Sequence, residues 1–312
     1  MRKLLPLLIA LLAAAPLHGQ RLQSYEALAD TALQRKVISF LADDACKGRA
    51  SGTEGAAMAA GYIVRQFREA GLNPMDWTFT RSFRYRDSIT LRNVVGLLNA
   101  VPASDEYILV TAHYDHLGTL GGTIYNGADD NASGVAMLIT LARMCKALQN
   151  DGVGPQKNLI FIALDGKELD AAGSRWMVEN LGIPRKKITC ALNIDIIGSD
   201  LVPLWRNKYY LIALGEETLP WRYRGYLQAI CTRPGCKLDL DLSFYGSRDF
   251  SRMMYASGDH ASFAAAGIPA VFLTSGFHDH TYKATDDENL INYAVLQRRT
   301  VAVFHYLNAL CQ

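Results

Sequence analysis

Apolar strands alternate with helical stretches through the middle of the chain, and this alternation constrains the fold more than any other feature. The segments run in this order: strand Tyr107–His113, helix Ala132–Leu148, strand Leu159–Leu164, helix Ala171–Leu181, strand Thr189–Ile196, helix Ala261–Ala266 and strand Ala270–Thr274. Strands that alternate with helices pair in parallel, and both faces of their sheet must be covered. The pattern therefore predicts an α/β fold, a three-layer sandwich with a mostly parallel mixed sheet and helices on both faces.

The flanking segments extend this pattern to one domain over residues 20–312. They are helical stretches at Glu26–Leu41, Ser51–Ala70 and Leu290–Leu310, and strand-like stretches at Trp77–Tyr85 and Leu91–Leu98. Residues 199–257 are richer in aromatic and turn residues, which indicates an elaboration of the same domain. With 312 residues, half of them hydrophobic, the chain is long enough to bury a full core.

The N-terminus is typical of a targeting segment. Arg2 and Lys3 form a positive start, Leu4–Pro16 is an apolar run, and Leu17–Gln20 is a plausible cleavage zone. These features predict a signal peptide over residues 1–19 and an exported protein, periplasmic or extracellular. The apolar run is short for a membrane span and no other candidate follows, so we expect no membrane span.

Cysteine placement predicts one disulfide. Of the six cysteines, Cys231 and Cys236 bracket a Thr-Arg-Pro-Gly turn that can bring two thiols together, and export permits oxidation. The others are scattered along the chain, and Cys145 and Cys311 lie in helical patterns that favour free buried thiols. No Cys-x-x-Cys pair occurs, which disfavours a cysteine zinc site.

The stretches VTAHYDHLG and YNGADDNASG carry the first candidate ligands. His113 ends a strand, Asp115 follows two residues later, and Asp130 lies in an acidic loop that opens a helix. Strand ends and helix starts are where an open α/β sheet presents its chemistry, and histidine with carboxylates suits zinc. For either stretch alone, a surface histidine beside an Asp130 or Asn131 helix cap explains the pattern equally well.

Further strand ends and loops carry carboxylates. Glu168 follows the strand LIFIAL, Asp195 ends the strand ALNIDII, and Asp259 precedes a short helix. Because parallel strands collect their carboxyl ends along one edge, we expect these groups to converge with His113, as in a zinc or two-metal hydrolytic site. The alternatives are a turn residue for Asp195 and a first-turn acid, favoured by the helix dipole, for Glu168.

The chain resembles the secreted zinc exopeptidases, a family that includes bacterial leucyl aminopeptidases and, in a single-zinc branch, glutaminyl cyclases. The resemblance rests on GRASGTEGAAMAAGYI, HYDH, GADDNASG, DGKELDAAGS, LNIDIIG, SGDHASFAAAGIPAVFLTSG and the terminal helix. It implies that Asp130 bridges two metal positions, that His113 and Asp195 complete one, and that Glu168 belongs to the other. It further implies that Asp115 orients His113 and that Asp259 supports the catalytic base.

Two positions depart from that family. Its base is a Glu directly before the ligand Glu, whereas this chain has Lys167, and an ammonium cannot take a proton from water near neutral pH. We expect Lys167 to fill space or to pair with a carboxylate such as Asp259. The final histidine ligand of the family aligns with Tyr282, a poor zinc ligand unless ionised, and His280 is a candidate substitute.

These observations predict an exported, zinc-aminopeptidase-like protein with a degenerate or weakly active site. The alternatives are an active zinc-dependent aminopeptidase or hydrolase with a rearranged site, a non-enzymatic binder of peptides or a partner in the old cleft, and a glutaminyl-cyclase-like transferase. We expect one tightly held zinc ion, a second position that fills weakly, and a peptide or peptide-like ligand. A net charge of +2 without basic runs argues against nucleic-acid binding. No sequence feature predicts an oligomeric state.

Overall fold

The computed structural model describes residues 25–201 and 207–312, so the predicted signal peptide lies outside the described residues. Within these ranges the main helices are α1 (Thr31–Leu41), α2 (Glu54–Glu69), α3 (Ser133–Asn150), α4 (Ala172–Asn180), α5 (Tyr226–Cys231), α6 (Arg248–Tyr255), α7 (Asp259–Ala265) and α8 (Tyr293–Leu310). The strands are β1 (Asn73–Pro74), β2 (Thr80–Tyr85), β3 (Ile89–Leu98), β4 (Tyr107–His113), β5 (Gly118–Leu120), β6 (Thr123–Tyr125), β7 (Asn158–Leu164), β8 (Ile188–Ile194), β9 (Tyr210–Leu214), β10 (Asp239–Asp241) and β11 (Ala270–Thr274).

The main sheet has the strand order β1-β3-β7-β4-β8-β11-β9-β10, and β2 pairs with β3. Its centre is parallel, because β4 pairs in parallel with β7 and β8, and β8 does so with β11. The pairs β3 with β7 and β9 with β11 are antiparallel. The predicted mixed sheet is therefore confirmed, with its parallel pairs at the centre.

Helices cover both faces of this sheet. On β4, Ile108 and Val110 pack into the larger core cluster with α1, α2, α3 and α8. Leu109, between them, points to the other face and packs in a second cluster with Met177 of α4 and Phe263 of α7. Successive strand side chains alternate between faces, so a strand buried on both faces must be apolar throughout. The three-layer sandwich is the result.

Element ends differ from the sequence prediction where capping residues decide them. The first helix begins at Thr31, because the side chain of Asp30 caps it by accepting the N–H of Ala32. The second begins at Glu54, behind a Thr53 cap that accepts the N–H of Ala56. The region predicted as an elaboration adds β9, β10, α5 and α6, and β9 joins the main sheet through β11.

The predicted Cys231–Cys236 disulfide is wrong in this structure, where both cysteines are free and buried. Both side chains lie in the larger core cluster. Burial raises the pKa of Cys231 to about 12 and that of Cys236 to about 11. The thiols therefore stay protonated, and the thiolate that disulfide exchange requires is scarce.

None of the helices within residues 25–201 and 207–312 is both long and apolar enough to cross a membrane.

Candidate metal centre

The candidate centre lies at the carboxyl ends of adjacent parallel strands. His113 is the last residue of β4, Asp195 directly follows β8, and Glu168 lies on the segment after β7. Asp130 comes from the acidic loop that precedes α3. Because parallel strands end at one edge, the structure brings these four side chains together.

His113, Asp130 and Asp195 form the most enclosed group. The Nε2 atom of His113 lies 3.0 Å from Asp195 Oδ1 and 3.3 Å from Asp130 Oδ1. Asp195 is 5% exposed, and the other two are fully buried. Burial opposes ionisation of Asp130, but the nearby positive charge of Lys167 and the hydrogen bond from His113 lower its pKa. Burial opposes the charged form of His113, but Asp195 and Asp130 outweigh it and raise the pKa of the ring. The donor set fits a divalent ion such as zinc, which would displace a proton from the imidazole on binding.

Asp115 supports the His113 group in a different way from the one that the resemblance implies. The Nδ1 atom of His113 lies 3.1 Å from the backbone carbonyl of Asp115, and 3.8 Å from its Oδ1. The Asp115 carboxylate instead accepts the backbone N–H groups of Lys167 and Glu168, both at 3.1 Å. Asp115 thus aims the ring through its carbonyl oxygen and fixes the segment after β7 through its side chain.

A second group contains a residue that the sequence interpretation missed. His116, Asp130 and Glu168 offer ligand atoms that all lie within 4.8 Å of one another. The His116 side chain is fully buried, and its Nδ1 lies 3.8 Å from Asp130 Oδ2. Burial lowers the pKa of His116 to about 4, which keeps the imidazole neutral and able to ligate. The signal in the sequence is the spacing His113-x-x-His116, where only the first histidine was assigned.

Lys167 lies between the two carboxylates of this second group. Its Nζ is 3.1 Å from Glu168 Oε1 and 4.0 Å from Asp130 Oδ1, and its side chain is 10% exposed. Burial alone would lower the pKa of Lys167, but Asp130 and neighbouring carboxylates outweigh it and raise the pKa well above the ordinary value. The residue is a permanent cation here. Its ion pairs go to Glu168 and Asp130, so the expected pairing with a carboxylate is present, with these two as partners in place of the suggested Asp259.

The loop after β11 does not bring a histidine to either group. Tyr282, with its backbone at φ 61°, accepts a hydrogen bond of 2.9 Å from Lys167 Nζ on its phenol oxygen. Burial raises the pKa of Tyr282 to about 12, so the phenol stays protonated. His280 lies beside Thr285, with its Nδ1 2.8 Å from the hydroxyl. His280 belongs to neither of the histidine and carboxylate ligand groups in the described part of the chain.

His278 anchors this loop instead. Its Nε2 lies 3.1 Å from Asp129 Oδ2, and Asp129 also accepts the backbone N–H groups of Gly198 and Ser199. Asp286, farther along the same loop, accepts the N–H groups of Asp129 and Asp130. Two loops and the segment after β8 are thereby tied together around the ligand Asp130.

A cleft of about 770 Å³ opens beside the centre. Lys167, Glu168 and Tyr282 line it, together with residues of α4 and α7. Asp259, the first residue of α7, is buried near the centre, and burial raises its pKa to about 6. The cleft is large enough for a short peptide or a molecule of similar size.

The family model described as Peptidase family M28 matches residues 93–307, which is more than half of the chain. The chain belongs to peptidase family M28. One relative is leupeptin-inactivating enzyme 1 of Streptomyces exfoliatus, 27% identical over 250 residues, which cover 80% of this chain and 49% of that protein. This M28 chain spans about half or less of the length of the first curated relatives it matches.

Solved structures show the same fold. The aminopeptidase from Aneurinibacillus sp. strain AM-1 matches this M28 chain with a TM-score of 0.68 at 15% identity, covering 90% of this chain and 94% of that one. The glutaminyl cyclase of Porphyromonas gingivalis matches with a TM-score of 0.68 at 17% identity, covering 90% and 98%. At these identities the likeness extends to the fold, which is that of both an aminopeptidase and a cyclase.

Proposed function

We propose that this M28 protein is an exported protein of the zinc-aminopeptidase type that holds one zinc ion tightly and hydrolyses aminoacyl substrates weakly. The observation that carries the proposal is the contrast between two neighbouring positions. His113, Asp130 and Asp195 are buried and paired with one another, and Lys167 Nζ lies farther off, 4.0 Å from Asp130 Oδ1. The adjacent position holds the ammonium of Lys167.

The intact group supports binding of one ion. Three protein ligands suffice for a catalytic-type zinc that keeps an open position. A zinc ion bound there would supply Lewis acidity toward a peptide carbonyl. The cleft beside Lys167, Glu168 and Tyr282 supports a peptide-like ligand. The basic start and apolar run within residues 1–19 support export.

The neighbouring residues support weak hydrolysis. A general base must accept a proton within hydrogen-bond reach of the reacting water. Lys167 occupies the position where the related exopeptidases carry that base, and the carboxylates around it keep it protonated. Glu168 is paired with the Lys167 ammonium at 3.1 Å, although burial outweighs this pairing and raises the pKa of Glu168 to about 7.

The test combines metal content with turnover. Purified protein, equilibrated with zinc and dialysed, should retain one ion per chain by elemental analysis. It should hydrolyse leucine and glutamine p-nitroanilide or amide reporters less than about tenfold above a chelated control, because the base contribution is missing. A zinc-dependent kcat of about 10 s⁻¹, typical of enzymes, would refute weak hydrolysis, and no bound zinc would refute the metal site.

A further inference from the structure

His116 is a buried ring without a partner. Its side chain is fully buried, and neither ring nitrogen has a hydrogen-bond partner among the described residues. Burying an unpaired polar group is unfavourable, so such a group indicates a ligand that satisfies it. Its Nδ1 lies 3.8 Å from Asp130 Oδ2, a distance that leaves room for an ion between the two atoms.

The Lys167 ammonium stands close to where such an ion would bind. The two carboxylates that complete the His116 group, Asp130 and Glu168, are the same two that flank Lys167 Nζ, at 4.0 and 3.1 Å. A positive charge already lies between them. An ammonium and a divalent ion cannot both occupy this space without strong repulsion.

The formal charges also favour either the Lys167 ammonium or a second ion at this position, and not both. The ligand groups contain three carboxylates, those of Asp130, Glu168 and Asp195. One divalent ion and the Lys167 ammonium together neutralise them. A second divalent ion with Lys167 still in place would leave a buried excess of two positive charges, which proteins avoid. Lys167 therefore has to leave before a second ion can bind.

Lys167 has an exit. Its Nζ already donates to the phenol of Tyr282, which lies toward the cleft and is 43% exposed. The lysine also lines that cleft. Rotation about its flexible stem can carry the ammonium outward while the hydrogen bond to the phenol is kept.

We propose that Lys167 and a second transition-metal ion are exclusive occupants of one position, and that His116 is the histidine ligand of that ion. In the resting protein the lysine supplies the third positive charge, beside the two of the first ion. When the ammonium rotates outward into the cleft, the side chains of His116, Asp130 and Glu168 form a nitrogen and oxygen donor set for an ion such as Zn²⁺ or Co²⁺. The inference rests on the proposed function only in sharing Asp130 with the first ion.

The experiment counts ions in the full chain without measuring turnover. Metal-stripped wild type, Lys167→Met, His116→Gln and the double variant are titrated with Co²⁺, followed by visible absorbance, and with Zn²⁺, followed by elemental analysis after dialysis. Lys167→Met removes the ammonium and keeps a side chain of similar length. His280→Ala, in the nearby loop, is the matched control for removal of a histidine.

Wild type should bind one ion tightly and the second at least about tenfold more weakly than Lys167→Met does. The double variant should return to one ion, and His280→Ala should behave as wild type. Retention of the first ion, with an unchanged thermal midpoint, shows that each variant is folded. A second His116 variant, His116→Phe, preserves the ring shape and should give the same result.

Two outcomes would overturn the inference. Lys167→Met that still binds one ion would mean that the lysine does not block the position. Two ions in the variant that combines Lys167→Met with His116→Gln would mean that His116 is not the ligand. Absence of the first ion from wild type refutes the proposed function alone. The comparison of Lys167→Met with the variant that also carries His116→Gln still decides whether His116 ligates an ion at the second position.

Discussion

Replacing Lys167 and Tyr282 together should restore hydrolysis far more than either change alone. The two side chains are in direct contact, with Lys167 Nζ 2.9 Å from the Tyr282 phenol oxygen. Lys167→Glu supplies the carboxylate that the related exopeptidases use as a base. Tyr282→His supplies their final ligand, and histidine tolerates the left-handed backbone of this position, at φ 61°, better than most residues.

The single changes should help little for electrostatic reasons. A carboxylate at position 167 would lie about as close to Glu168 as the present Nζ, which is 3.1 Å from Oε1. Two like charges at ~4 Å repel by about 4 kcal/mol at an effective dielectric constant near 20, unless a cation separates them. Tyr282→His alone leaves the ammonium in the position where a second ion would bind. Lys167→Glu therefore depends on a second ion to separate the carboxylates, and Tyr282→His adds a second histidine beside His116 to hold that ion.

The expected gain follows from the value of general-base catalysis, roughly 100-fold to 10,000-fold. We expect kcat/KM of the double variant on leucine p-nitroanilide to exceed the product of the single effects by at least about tenfold, because groups that act as a unit are not additive. The assay uses zinc-supplemented buffer with a chelated control.

The decisive control combines Lys167→Gln with Tyr282→His. Glutamine has the shape of glutamate but cannot accept the proton, so this variant should bind metal like the Glu variant and remain nearly inactive. Equal activity of the two double variants would refute base catalysis at position 167 and assign the gain to metal binding alone.

Three further results are expected. His113→Ala should remove the tight zinc ion, and with it the roughly 2.7 kcal/mol of stabilisation that zinc at 100 times its Kd gives wild type in a thermal unfolding assay. Arg49→Met should lower the free energy of unfolding by at least about 3 kcal/mol in urea, because the fully buried Arg49 donates to four backbone carbonyls around the centre, each costly to leave unpaired. The ion pair between His278 and Asp129 should stabilise the metal-free protein only within a pH window: burial opposes both charges, yet their mutual attraction raises the pKa of His278 and lowers that of Asp129. The contribution of this ion pair is therefore lost as pH rises through the raised pKa of His278 and as pH falls through the lowered pKa of Asp129. Unfolding of wild type and His278→Gln across pH measures this contribution. A difference in unfolding free energy between the two proteins that stays constant with pH would contradict the prediction.

The fold was predictable because it depends on continuous apolar runs that only buried strands can accommodate. The strand Leu159–Leu164 is apolar at every position, and the structure buries β7 on both faces. Apolar continuity of this kind specifies a central parallel strand whatever the loops do. Helix starts were less predictable, since Asp30 and Thr53 each cap a helix a few residues inside the periodic stretch.

The site was predictable where a strand delivers the residue and less so where a loop does. His113 and Asp195 are placed by β4 and β8, so their convergence follows from strand order. His116 lies three residues beyond the end of β4, where alternation no longer determines the side on which a side chain lies. Its burial depends on contacts that only the folded chain defines, such as the close approach of Gly127, where an added Cβ would lie 2.6 Å from the His116 ring.

The partner of Lys167 was also decided by loop geometry. The segment after β7 turns through Gly166 at φ 82°, and the Asp115 carboxylate holds the N–H groups of residues 167 and 168. This double hydrogen bond presents both side chains to the same carboxylate, Asp130, so the lysine pairs with Asp130 and with its neighbour Glu168. A base-to-lysine replacement at this position therefore changes more than proton transfer. It installs a cation within the ligand set itself, and the number of metal ions that the centre can hold becomes a property of one side chain.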